Sequence, residues 1–237
     1  MDCAIVALLG HSFIGRLHTA VLDSNFPFNS DLNQDIFDVH YFGRSGATTK
    51  TLLSSRHIQD CIECKPVRVF LQIGGNNIRK NTIYFDVFKG IWSVVDRLIA
   101  GGVQHIIISS IFYRGKPRGI TSDEYNSKAD QLNRFLHHYF QDSKKVNFWQ
   151  IHGLMRRKKN IFIVEGVHLN EDAMIKYAAQ VRMAVKCESG IKHHKTIKYT
   201  VMCYNDDLIL FLSFFSVVYL DETNQVPRSA DIQSDMD

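Results

Sequence analysis

Cysteine is sparse and its pattern excludes a covalent scaffold. The five cysteines, at positions 3, 61, 64, 187 and 203, are odd in number and show no repeating spacing, which argues against a disulfide framework. Cys61 and Cys64 form a C-x-x-C, but no second pair or thioredoxin-like setting accompanies it, so both read as ordinary thiols where a helix ends. Long hydrophobic runs are also missing. The longest, residues 208–220, is flanked by Asp206-Asp207 and Asp221-Glu222 and falls short of the ~20 residues a spanning helix needs. No basic region precedes the short apolar run near the N-terminus, so no signal peptide is expected and the chain is expected to be cytoplasmic. Charge of one sign is weak: the net charge of +4 is spread along the chain, too little to suggest a specific nucleic-acid partner. The basic stretch Arg156-Arg157-Lys158-Lys159 reads as a solvated turn. Neither a G-x-G-x-x-G turn nor a phosphate-loop lysine is present, which disfavours nucleotide binding. His137-His138 have no partner at metal-ligand spacing, and no metal or cofactor is expected.

What is present is an alternation. Residues 4–9 form an apolar run that ends at Gly10; beyond Ser12 the period becomes helical, with Phe13, Ile14, Leu17, Val21 and Leu22 at helical spacing. A polar loop, 23–35, leads to a second strand, 36–42. The small-residue turn 43–49 opens a helix carrying Leu52, Leu53, Ile58 and Cys61, which Pro66 stops. Residues 67–73 and 105–111 are β-branched runs of the kind buried in parallel sheets. Between them lies a helix carrying Tyr84, Val87, Phe88, Ile91, Val94, Val95 and Leu98, closed by Gly101-Gly102. Ser122 is expected to cap a helix through Phe140, a fifth strand covers 146–151, and Asn170 caps a final helix. Trp92 and Trp149 sit in apolar patterns and are expected in the core.

Repeated strand–helix units of this length predict an α/β fold: three layers, α/β/α, around a five-stranded parallel sheet in flavodoxin-like order. At 237 residues, one such domain over 1–186 accounts for most of the chain. Residues 187–237 form a C-terminal tail of no assignable role, expected to be partly disordered. In such sheets ligands sit beyond the carboxyl ends of the strands, and the Gly-, Asn- and Ser-rich turns of this chain fall there.

Four blocks at those ends, Gly10-His11-Ser12-Phe13, Ser45-Gly46-Ala47-Thr48, Gly74-Gly75-Asn76-Asn77 and Glu165-Gly166-Val167-His168-Leu169-Asn170, come in one order. The arrangement resembles the SGNH (GDSL-type) hydrolases over roughly residues 3–186. The resemblance implies a nucleophile, Ser12, a general base, His168, and an acid, Glu165, that orients it. It also implies an oxyanion hole from the Ser12 and Gly46 N–H groups and the Asn76 amide. Three positions depart from the family pattern: His11 and Asn77 stand where Asp is usual, and Glu165 replaces the usual Asp. The implied activity is metal-independent hydrolysis of a carboxylic ester, acyl or acetyl, on a small-molecule or acylated substrate. A catalytically weak SGNH-like binding module is the alternative. The acyl group, the alcohol and the oligomeric state are not encoded in any readable pattern; the loops 23–35 and 112–122 are expected to line the pocket.

Overall fold

The computed structural model describes residues 3–23, 36–152, 154 and 161–187. The loop at 24–35, the basic turn at 156–159 and the tail at 188–237, with its apolar run, lie outside the described residues.

Five strands, β1 (Ala4–Gly10), β2 (Phe37–Gly43), β3 (Arg68–Gln72), β4 (His105–Ser109) and β5 (Val146–Trp149), form one sheet. Its order is β2-β1-β3-β4-β5 and every pair is parallel, the expected flavodoxin-like topology. Six helices complete the fold: α1 (Ser12–Leu22), α2 (Thr49–Leu53), α3 (Arg56–Glu63), α4 (Tyr84–Ala100), α5 (Ser122–Phe140) and α6 (Glu171–Cys187).

The central strands are apolar through their middles, Val69–Leu71 and Ile106–Ile108, because both faces of the sheet are covered. Successive side chains of a strand point to opposite faces. Val6 and Leu8 of β1, Phe70 of β3 and Ile107 of β4 therefore join one core, with Leu17 of α1 and Val181 of α6. Ala7 and Leu9, Val69 and Leu71, and Ile106 and Ile108 join the other, with Cys61 of α3, Ile91 of α4 and Leu132 of α5. Strand β2 lies at the edge and is only half buried, which admits Asp38 and His40, paired at 2.9 Å.

Four local expectations change. The helix after β2 is two helices, because the Ser54 and Ser55 hydroxyls donate back to the Lys50 and Leu52 carbonyls (3.3 and 2.7 Å) and the chain turns there. Thr121, not Ser122, caps α5: its Oγ1 accepts the Glu124 N–H at 3.2 Å, while the Ser122 hydroxyl donates to the Gly115 carbonyl. Trp92 is exposed at the margin of the α4 stripe, against Tyr139 and Phe140, and Trp149 is half-buried at the edge of its cluster. Asn170 does cap α6, accepting the Ala173 N–H at 3.0 Å. Cys61 and Cys64 are free, and burial raises both thiol pKa values. Among the described residues no helix is long and apolar enough to cross a membrane.

Candidate active site

Strand β1 ends where backbone space runs out. Gly10 pairs with Gly43 on one side and Gln72 on the other, and a Cβ on it would lie 2.1 Å from the Gln72 carbonyl oxygen. Only glycine fits that approach. The chain then turns, the His11 N–H donating to the Gln72 carbonyl at 3.2 Å. His11, rather than Ser12, is the N-cap of α1: its Nδ1 accepts the Phe13 N–H in a long contact of 3.5 Å. An imidazole can accept only when neutral. Burial, with the charge of Arg114 and the nearby His168 adding to it, pushes the His11 pKa down to about 3. Ser12 thus becomes the first residue of α1 and its hydroxyl is released from capping. Its N–H, at the positive end of the helix, has no partner among the described residues.

The last block comes back to meet it. A tight turn, with the Gly166 N–H on the Ile163 carbonyl at 2.8 Å and Gly166 at φ 70°, is anchored by the Gly115 and Lys116 N–H groups on the Gly166 carbonyl. From this turn His168 brings Nε2 to 2.9 Å from Ser12 Oγ, and its Nδ1 meets Glu165 Oε1. A carboxylate only accepts, so Nδ1 carries the proton and Nε2 faces the serine hydroxyl as acceptor. Arg16 Nη2 stands 3.9 Å from the same carboxylate.

The second and third blocks line the facing wall. Gly46 adopts φ 68°, a left-handed conformation that favours glycine, and a Cβ there would meet nothing within 4 Å. Backbone conformation, more than space, is what its glycine serves. Asn76 donates from Nδ2 to the Ala47 carbonyl at 2.9 Å, and its Oδ1 accepts from Arg114 Nη2 at 2.8 Å. A guanidinium has donors only, so Arg114 dictates which end of the amide is which, and the second Nδ2 hydrogen has no partner among the described residues. Asn77, at the position where Asp was expected, holds α2 in place: its Oδ1 accepts the Thr49 N–H at 3.1 Å and its Nδ2 donates to Thr49 Oγ1 at 3.0 Å.

Ser12, Gly46, Asn76, Glu165 and His168 therefore line one cleft of about 540 Å³. Sequence reasoning did not single out Arg114, Arg79, Lys116 or Arg118, which line it too. The available signal was position: Arg79 follows the carboxyl end of β3, and residues 112–122 follow that of β4. Among the described residues no three His, Cys, Asp or Glu side chains gather as a metal-ligand group.

No protein-family model matches the chain, and no curated protein sequence matches it. Solved structures do. A GDSL-like lipase from Bacteroides thetaiotaomicron is 18% identical at a TM-score of 0.59, over 78% of this chain and 88% of the other. The lipase/acylhydrolase from Enterococcus faecalis is 11% identical at 0.57, over 78% and 96%. An acetylxylan esterase from Geobacillus stearothermophilus, solved as a catalytic mutant, is 16% identical at 0.56, over 78% and 95%. With its strand order, its helical layers and these structural relatives, the chain has the fold of the SGNH (GDSL-type) hydrolases.

Proposed function

We propose that the chain is a serine hydrolase of the SGNH type that cleaves a carboxylic ester, with Ser12 as nucleophile, His168 as general base and Glu165 as the orienting acid. One observation carries the reading. Ser12 Oγ lies 2.9 Å from His168 Nε2 while Glu165 occupies the other ring nitrogen. Serine is a poor nucleophile until a base takes its proton. In the proposed reaction Oγ attacks the ester carbonyl as its proton passes to Nε2, and Glu165 stabilises the imidazolium. The tetrahedral oxyanion lies against the Ser12 N–H, the Gly46 N–H and the free Nδ2 hydrogen of Asn76, donors typically worth ~3–4 kcal/mol each in a transition state. The tetrahedral species collapses, the C–O bond to the alcohol breaks, and His168 returns the proton to the departing oxygen. Water repeats the sequence on the acyl-serine and frees the acid. None of these steps calls for a metal or a cofactor.

The names of the structural relatives, lipase, acylhydrolase and acetylxylan esterase, favour an acyl or acetyl ester. A binding module without turnover would need none of the serine–histidine–glutamate alignment. The test is hydrolysis of aryl acetate and short acyl esters by the purified chain. Turnover that survives Ser12→Ala would sink the reading.

The base has a pH signature. Burial, then the positive charges of Arg16 and Arg114, hold the His168 pKa below the 6.5 of a free imidazole. A lowered pKa leaves the ring neutral, and so able to accept a proton, further into acid. The acid limb of the kcat/KM profile is therefore expected below pH 6.5, and Arg16→Gln is expected to move it upward by removing a positive charge. A limb above 6.5, or a downward move in Arg16→Gln, contradicts this assignment of the base.

A further inference from the structure

We propose that the cleft takes an ester whose non-reacting part carries an anionic group, a carboxylate, sulfate or phosphate, held by Arg79, Arg114, Lys116 and Arg118. The chemistry at the ester rests on the serine-hydrolase reading above; the charge requirement rests on the cleft itself.

All four cations line the cleft that holds Ser12 and His168, and the one carboxylate among the described residues that line it, Glu165, is engaged by His168. Among the described residues no carboxylate lies within 4.0 Å of any of the four. Elsewhere Arg56 pairs with Asp60 at 3.1 Å and Lys128 with Glu124 at 3.3 Å. Arg114 is set rigidly, its guanidinium 5.0 Å from the centre of the Tyr125 ring and bonded to Asn76 Oδ1. Only one of its five N–H donors is used in that bond. Lys116 Nζ reaches the Val164 carbonyl at 3.2 Å, and Arg79 and Arg118, both exposed, line the cleft as well.

Like charges around a concave wall repel one another and focus a positive potential into the cleft. An anion in the cleft relieves that repulsion and meets guanidinium forks suited to planar or tetrahedral oxyanions. At about 540 Å³ the cleft has the size of a small-molecule site. A neutral ester would leave the cations unanswered.

The experiment uses the Ser12→Ala full-length chain, so that ligands are bound without turnover, and calorimetric titration. The ligands are 4-acetoxybenzoate, 4-acetoxybenzenesulfonate and 4-acetoxyphenyl phosphate, with neutral 4-acetoxybenzamide for comparison. At low salt the best anionic ester is expected to bind about tenfold or more tightly than the amide, the scale of one charge-assisted hydrogen bond. Which anion binds best identifies the group. The preference is expected to shrink several-fold at high salt and again when Arg79→Gln and Arg118→Gln are added. Those two positions are exposed, and an unchanged unfolding midpoint verifies that the fold is intact. Equal binding of charged and neutral esters, no binding of any anionic ester, or a preference indifferent to salt and to the two arginines overturns the proposal. Labelling of the wild-type chain by an uncharged fluorophosphonate, run alongside, separates the two readings. A labelled protein without charge preference loses only the anionic substrate, and an unlabelled protein with the preference loses only the hydrolase.

Discussion

Replacing His168 with alanine is expected to lower kcat on an acyl ester about 10⁵- to 10⁶-fold, and the Ser12→Ala/His168→Ala double variant is expected to be no slower than either single one. The reason is that the two side chains perform one event. At 2.9 Å, Ser12 Oγ and His168 Nε2 share the proton that must leave as the new bond forms, so losing either partner removes the whole step. Residual hydrolysis would come from the cleft and its N–H donors, which remain in all three variants. Steady-state kinetics on one ester suffices as the check. Losses that multiply in the double variant would mean that the two residues act independently, contrary to a nucleophile–base pair.

Asn76→Ala is expected to cost about 100- to 1,000-fold in kcat with little change in KM, because its free N–H meets charge that exists only in the transition state. Asn76→Asp is the sharper variant. Its carboxylate would keep the 2.8 Å contact with Arg114 and so keep the fold, but it turns an acceptor oxygen toward both the Ala47 carbonyl and the oxyanion. It is expected to lose at least as much as the alanine variant. Arg114→Gln is expected to cost less, about tenfold in kcat, since Arg114 acts on the oxyanion through the Asn76 amide it orients and a neutral amide can still bond to Oδ1. The measurement is kcat and KM separately for the three variants. An Asn76→Asp enzyme of near-normal kcat would remove Asn76 from the oxyanion hole.

The sheet was legible because burial on both faces forces consecutive apolar residues in the middle of each central strand, so the runs at 67–73 and 105–111 announce themselves without side-chain detail. The four blocks were legible for a related reason: each is a turn at the carboxyl end of a strand or before a helix, where small and amide residues interrupt the apolar pattern. Features resting on one proton or one hydroxyl were not. His11 caps α1 through a neutral ring nitrogen, and the burial that holds its pKa down is stated by no local pattern. Thr121 and Ser122 are adjacent hydroxyls with acids at similar offsets, and the choice between them is made by the Gly115 carbonyl, seven residues back across an irregular loop. Arg114 lies 38 residues from Asn76 along the chain, and only the pairing of β3 with β4 brings the two together. The charge of the cleft was hidden likewise, since Arg79 follows β3 while Lys116 and Arg118 follow β4, and each looks merely solvated by itself.

The most direct measurement is covalent capture: the purified chain is treated with a fluorophosphonate and the modified peptide identified by mass spectrometry. The expected result is one stoichiometric adduct on Ser12, lost in Ser12→Ala and in His168→Ala. An unmodified Ser12 in a folded wild-type chain, or an adduct that persists in His168→Ala at the wild-type rate, would contradict an activated serine.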